Sequence, residues 1–180
     1  MRLRRATVAD AESIAAVNVA AARAGWTDFL AEEELDRFDP PTSRWRTRIA
    51  EAGPGSPVLA AVEEGRIVGV ASLRAPVAGT VAVGELVALF VHPWASGRGV
   101  GRTLMGAALG ALRAAGCHEA VLWTEERNRR PRRLYERYGW RADGAVRERV
   151  FLGHPIREIR FRLELVDRPR QGRADEPGTT

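Results

Sequence analysis

The chain contains no lysine: every one of its 28 basic residues is arginine, against 23 acidic residues, for a formal charge of +5. That absence excludes a GxxxxGK phosphate loop of the nucleoside-triphosphate hydrolases. Cysteine is reduced to Cys117, so there is no intrachain disulfide framework and no Cys cluster for a structural metal; a buried, inert thiol is the expectation. His92 and His118 have no partner at metal-ligand or triad spacing, and no metal is expected. Long apolar runs are missing too. The opening MRLRRATVADAESIAAV is cut by Asp10 and Glu12, which fits neither a secretory segment nor a membrane span and predicts a cytoplasmic protein without a membrane partner. The arginine run Arg129–Arg130–Pro131–Arg132–Arg133 has acidic residues interspersed around it and no recognised nucleic-acid motif beside it. No nucleic-acid partner is expected.

What remains is the composition of an ordinary globule, and 180 residues suit one domain with a tail. We expect a domain over 1–167 and a polar, disordered tail over 168–180. Thr7 can cap a helix over 8–24, and a second helical region over 31–52 is interrupted at Pro40–Pro41, where Pro41 can open a new helix carrying Trp45 and Ile49. The period then changes. VLAAVEEGRIVGVASLRA reads as two strands, 58–63 and 66–75, joined at Glu64–Gly65 as a hairpin, and VAVGELVALFVH as a third, stopped by Pro93. Helical spacing returns through Val100, Leu104, Ala108 and Leu112 up to Gly116. AVLWT is a short strand, NRRPRRLYERYGW a helix between Asn128 and Gly139, and 141–165 a pair of strands around Gly153–His154–Pro155.

The most informative segment is ELVALFVHPWASGRGVGRTLM, a strand feeding a glycine-rich turn that opens a helix. Unpaired amides of a first helical turn, a close backbone approach through glycine and the helix dipole together make an anion site, and a pyrophosphate is its natural ligand. A dinucleotide fingerprint is a poor match, because Gly97–Arg98–Gly99–Val100–Gly101 continues with Arg102 and no acidic ribose-binding residue ends a second strand.

LFVHPWASGRGVGRTLM resembles the acyl-CoA-binding motif of the GNAT acetyltransferases, a Val-x-Pro strand end followed by (Arg/Gln)-x-x-Gly-x-(Gly/Ala). WTEERNRRPRRLYERYGWRADG resembles the family's second signature, an Asn seven residues before a Tyr, then Glu-Arg and Gly-Trp. The resemblance spans nearly all of 2–166, and it departs at Ser96, where the motif usually carries Arg or Gln; Arg98 or Arg102 are candidates to substitute. It implies an α/β fold, with a mixed, mostly antiparallel sheet splayed at the acyl-CoA cleft and helices on both faces. It implies acetyl-CoA as co-substrate, and direct acetyl transfer to a primary amine of a small-molecule or peptide acceptor. By the same resemblance the backbone of Leu89, Phe90 and Val91 pairs with pantetheine, the amides of Gly97, Arg98, Gly99, Val100, Gly101 and Arg102 hold the pyrophosphate, Asn128 touches the pantetheine, and Tyr135 protonates the leaving thiolate. A packed helical tyrosine and a helix N-cap are the plain structural alternatives for the last two.

The acceptor must also be a neutral amine, because an ammonium has no lone pair to attack the thioester, so something must remove a proton. Glu85, six residues before Val91, is the first candidate base, with Glu125 and Glu126 as alternatives; Trp123 stands where some relatives carry a catalytic glutamate. Trp26, Phe29, Phe38 and Trp45, with Arg147, Glu148, Arg149 and His154, fall in the regions that build acceptor pockets in such proteins, although core packing explains the aromatics equally. A homodimer through the C-terminal strands is a family-level expectation. The rival to an enzyme is a non-catalytic acyl-CoA-binding regulatory module.

Overall fold

The computed structural model describes residues 1–75 and 82–165; the expected tail over 168–180 lies outside them. Strand β1 (Arg2–Arg5) leads through a single 3-10 turn into helix α1 (Ala11–Gly25). Asp10 joins the two. Its carboxylate accepts from Arg4 (2.6 and 2.8 Å) and from the Thr7 amide (2.7 Å) and hydroxyl (3.0 Å), so the helix begins at Ala11 rather than directly after Thr7. Helix α2 (Glu32–Asp36) is short. Pro40 and Pro41 then break the chain before α3 (Thr42–Ala50), as their missing amide donors and fixed φ require.

The remaining strands are β2 (Val58–Glu63), β3 (Arg66–Arg74), β4 (Val83–Val91), β5 (Glu119–Glu125), β6 (Arg141–Phe151) and β7 (His154–Glu164), with α4 (Val100–Ala114) and α5 (Arg129–Arg137) between them. They form one sheet in the order β1-β2-β3-β4-β5-β7-β6, antiparallel except for β4 against β5. Glu64 and Gly65, both at positive φ (48° and 76°), make the β2–β3 turn at the predicted place. The last turn falls at Leu152–Gly153, one residue earlier than the sequence suggests, and His154 and Pro155 open β7.

Helices cover both faces. Val100, Leu104, Ala108 and Leu112 of α4 are buried on one face with Leu73, Leu122, Trp140 and Phe161. On the other, Ile14 and Val17 of α1 and Trp45 and Ile49 of α3 meet Val58 and Val70. Two glycines set how closely α4 approaches: a Cβ at Gly69 would stand 2.8 Å from Leu104 Cδ1, and one at Gly84 2.5 Å from Leu112 Cδ2. No described helix is long and apolar enough to cross a membrane.

Candidate active site

The one parallel pair among the described residues is also the sheet's weak point. Strands β4 and β5 pair only at Val83–Glu119, Gly84–Ala120 and Glu85–Val121, although β4 runs on to Val91 and β5 to Glu125. Beyond Glu85 they diverge, and the gap between them opens into a cleft of about 560 Å³. A bulge in β4, where Ser72 pairs with Ala88 but Leu73 with Leu86, bends the strand beside this gap.

The free edge of β4 can be read residue by residue. His92 N–H donates to Val68 O on β3 (2.9 Å), and peptide groups alternate sides along a strand. Leu89 and Val91 therefore present N–H and C=O to the gap. The peptide of Phe90 faces β3, so its ring, not its backbone, meets the cleft, which differs from the expectation that all three backbones serve the ligand. An extended chain with amide groups could add to the edge at Leu89 and Val91 as a further strand would.

At the end of β4 the chain turns through Gly97 and Gly99, both left-handed (φ 81° and 87°), into α4. The first helical amide with a partner is that of Thr103, donating to Gly99 O, so those of Val100, Gly101 and Arg102 lie in the unpaired first turn. A Cβ at Gly97 or Gly99 would meet nothing within 4 Å, which leaves open space over the turn. Arg98 is drawn aside, paired with Glu63 (3.2 Å) and stacked against Trp94. The guanidinium that reaches Ser96 comes instead from α5: Arg130 donates to Ser96 Oγ (2.7 Å). No local sequence pattern signals this, because 34 residues separate the two.

Across the gap, α5 supplies two buried polar groups. Asn128 precedes the helix but its side chain makes no capping hydrogen bond; it is 7% exposed, and its Oδ1 has no partner among the described residues. A buried carbonyl oxygen left unpaired is costly, and a donor on a bound ligand would relieve the cost. Tyr135 packs its ring against Phe161 and Trp140, at centroid distances of 6.0 and 6.4 Å, and burial pushes its phenol up to about 12. Both line the cleft with Leu89, Phe90 and Glu85. Val91 and the glycine turn follow Leu89 and Phe90 along the chain and are not among the residues that line it.

Glu85 projects from the last paired position of β4, where Arg74 Nη1 holds its Oε2 at 2.5 Å. Glu125 is buried and bound by the amide and Nε of its neighbour Arg127 (2.5 and 2.7 Å); Glu126 turns away to Arg157. Trp123 lines the cleft beneath the Arg147 guanidinium, 4.3 Å from its ring. The aromatics named from the sequence do converge. Trp26, Phe29, Phe38 and Trp45 all line the cleft, and so do Arg147 and Arg149. His154 instead pairs with Glu34. Asn18, Arg48, Phe151 and Glu158 belong to the same wall and were missed. For Arg48 a signal existed, since it lies one turn from Arg44 and next to the buried Ile49; for Phe151 and Glu158, on a hairpin distant in sequence, there was none. Among the described residues no group of His, Cys, Asp and Glu is placed to hold a metal.

The gap beside a free strand edge, lined by a buried phenol and a buried, unpartnered asparagine, is the candidate active site. The sequence pattern of the acetyltransferase (GNAT) family matches residues 20–140, and the chain belongs to that family. Mycothiol acetyltransferase of Beutenbergia cavernae is 48% identical over 59 residues, a third of this chain (33%) but only 20% of that protein. PaiA N-acetyltransferase from Thermoplasma acidophilum, solved with coenzyme A, shares the fold with a TM-score of 0.74 at 16% identity, covering 91% of this chain and 98% of its own. YncA from Salmonella typhimurium, solved with acetyl-CoA, gives 0.70 at 24% identity, covering 94% and 96%.

Proposed function

We propose that the chain transfers the acetyl group of acetyl-CoA directly to a primary amine. The observation that carries this is the divergence of β4 from β5, which leaves the edge at Leu89 and Val91 unpaired opposite the buried, unpartnered Asn128 and the phenol of Tyr135. In this reading the pantetheine amides pair with Leu89 and Val91 and reach Asn128. The pyrophosphate lies on the amides of the turn over Gly97, Arg98, Gly99, Val100, Gly101 and Arg102, with Arg130 beside it at Ser96.

The amine nitrogen attacks the thioester carbonyl, and a backbone N–H of the β4 edge near Val91 stabilises the oxyanion. The C–S bond then breaks, with its electron pair leaving on sulfur, and Tyr135 protonates the thiolate. Burial raises the phenol and a thiol in the same site alike, because each ionises to an anion, so the two remain matched for transfer. The acceptor must first shed a proton. Arg74 occupies one oxygen of Glu85, and Oε1 takes that proton through water.

One observation favours the alternative of a non-catalytic acyl-CoA-binding module: Glu85, Glu125 and Glu158, the carboxylates of the cleft, are all ion-paired. Calorimetry with acetyl-CoA on the wild type and on Gly99→Glu, followed by a thiol-release assay over an amine panel, separates the readings. Binding lost in Gly99→Glu together with amine-dependent thiol release supports the enzyme; binding without release for any amine supports the module. A folded wild type that does not bind acetyl-CoA refutes both.

A further inference from the structure

Charge in the cleft is unevenly spent. Its three carboxylates are each held by arginine, Glu85 by Arg74, Glu125 by Arg127 and Glu158 by both Arg147 and Arg149. Arg44 and Arg48, one turn apart on α3, line the same cleft, and among the described residues neither is ion-paired with a carboxylate. Arg48 is half-buried and held in place by neutral acceptors, Nε to Ser72 Oγ (2.7 Å) and Nη2 to Leu73 O (3.1 Å), which leaves Nη1 uncommitted. Burial lowers its pKa and the neighbouring charge of Arg74 lowers it further, only partly offset by Glu85 and Glu51, so this corner gains from an added anion.

Two further features line the same cleft. Asn18, on α1, is 9% exposed, lines the cleft, and has an Oδ1 with no partner among the described residues. Trp26 meets Phe38 (5.1 Å) and Phe151 (5.2 Å) edge-on, forming an apolar wall that the Phe90 ring extends at 6.4 Å. The cleft thus offers a fixed cationic group, a buried acceptor for an N–H and an aromatic surface. A simple alkyl amine would use only the last two, leaving Arg48 partly desolvated with no ion-pair partner among the described residues.

We propose that the acceptor is a small amino carboxylate with an apolar side chain, its carboxylate on Arg48 and Arg44, its amine donating to Asn18 Oδ1 and its side chain against Trp26, Phe38 and Phe151. This rests on the reading that the cleft acetylates an amine. A guanidinium–carboxylate pair in a partly water-excluded site discriminates strongly against the neutral amide of the same acid.

The test uses leucine, methionine and phenylalanine, each beside its amide and its decarboxylated amine, in a thiol-release assay with acetyl-CoA. At least one amino acid is expected to exceed its amide about tenfold in kcat/KM. Arg48→Gln should raise KM for that amino acid about tenfold, leave kcat within about threefold and erase the preference over the amide, while Arg48→Lys restores part of it. Arg44→Gln, on an exposed side chain, should weaken the preference less. Amides equal to or better than the acids in all three pairs overturn the proposal, as does a preference that survives in both glutamine variants. If no amine releases thiol, the acetyltransfer reading fails separately, and calorimetry of the same acids and amides decides the anion site: tighter binding of an acid sustains it, and equal or absent binding removes it.

Discussion

Tyr135→Phe separates chemistry from packing in a single substitution. The ring contacts with Phe161 and Trp140 survive, so the fold at neutral pH should lose no more than about 1 kcal/mol, the net value of a typical hydrogen bond. Loss of a positioned general acid should lower kcat by about 10²–10⁴-fold with little change in KM. The phenol also carries a pH signature, because burial raises it from 10.0 to about 12. Below pH 10 it is neutral in both folded and unfolded chains and its contribution is intact. Between 10 and 12 the unfolded chain ionises and the folded one does not, so stability falls as pH rises, by roughly 1 kcal/mol at pH 11 and on the order of 2–3 kcal/mol above 12. The variant has no such group at this position. Urea melts at pH 8 and pH 11 should therefore show a smaller alkaline loss for Tyr135→Phe than for the wild type, by about 1 kcal/mol. Equal losses would refute the buried neutral phenol, and a kcat within about threefold of the wild type would remove Tyr135 as the proton donor.

Gly84→Ala should destabilise by about 1–3 kcal/mol, since its Cβ would stand 2.5 Å from the fully buried Leu112 Cδ2 and 3.0 Å from Cys117 Sγ; a lower urea midpoint at unchanged slope is the expected readout. Asp10→Asn loses the Arg4 pair and should cost about 1 kcal/mol at pH 7, discounted for the exposure of the pair. The Asp10 carboxyl is held well below its ordinary range by Arg4, so the wild type's advantage is present in full above about pH 4 and is lost only progressively as pH falls far below that; parallel melts at pH 7 and pH 3 should show a gap that is smaller at pH 3 but not closed. Together with the loss of acetyl-CoA binding in Gly99→Glu and the loss of carboxylate preference in Arg48→Gln, these cover the glycine turn, the cleft and the scaffold beneath it.

Local chemistry alone determined much of this protein. The period of apolar residues placed the helices and strands, Glu64–Gly65 announced its hairpin, Pro40–Pro41 its break, and the glycines after Pro93 the helix start with open amides, because each is settled within a few residues by backbone sterics and unpaired donors. The same local reading could not separate a capping asparagine from one facing a ligand at Asn128, nor a free glutamate from the Arg74-bound one at Glu85, since the answer depends on which distant groups reach them. Only the tertiary structure decided where β4 leaves β5, which peptide groups on β4 face the gap, and that Arg130 comes to Ser96. It alone set Arg44 and Arg48 of α3 in one cleft with Phe151 of a hairpin about a hundred residues away. Those facts follow from register, strand divergence and the packing of helices on opposite faces, and such long-range pairings leave no periodicity in the chain that makes them.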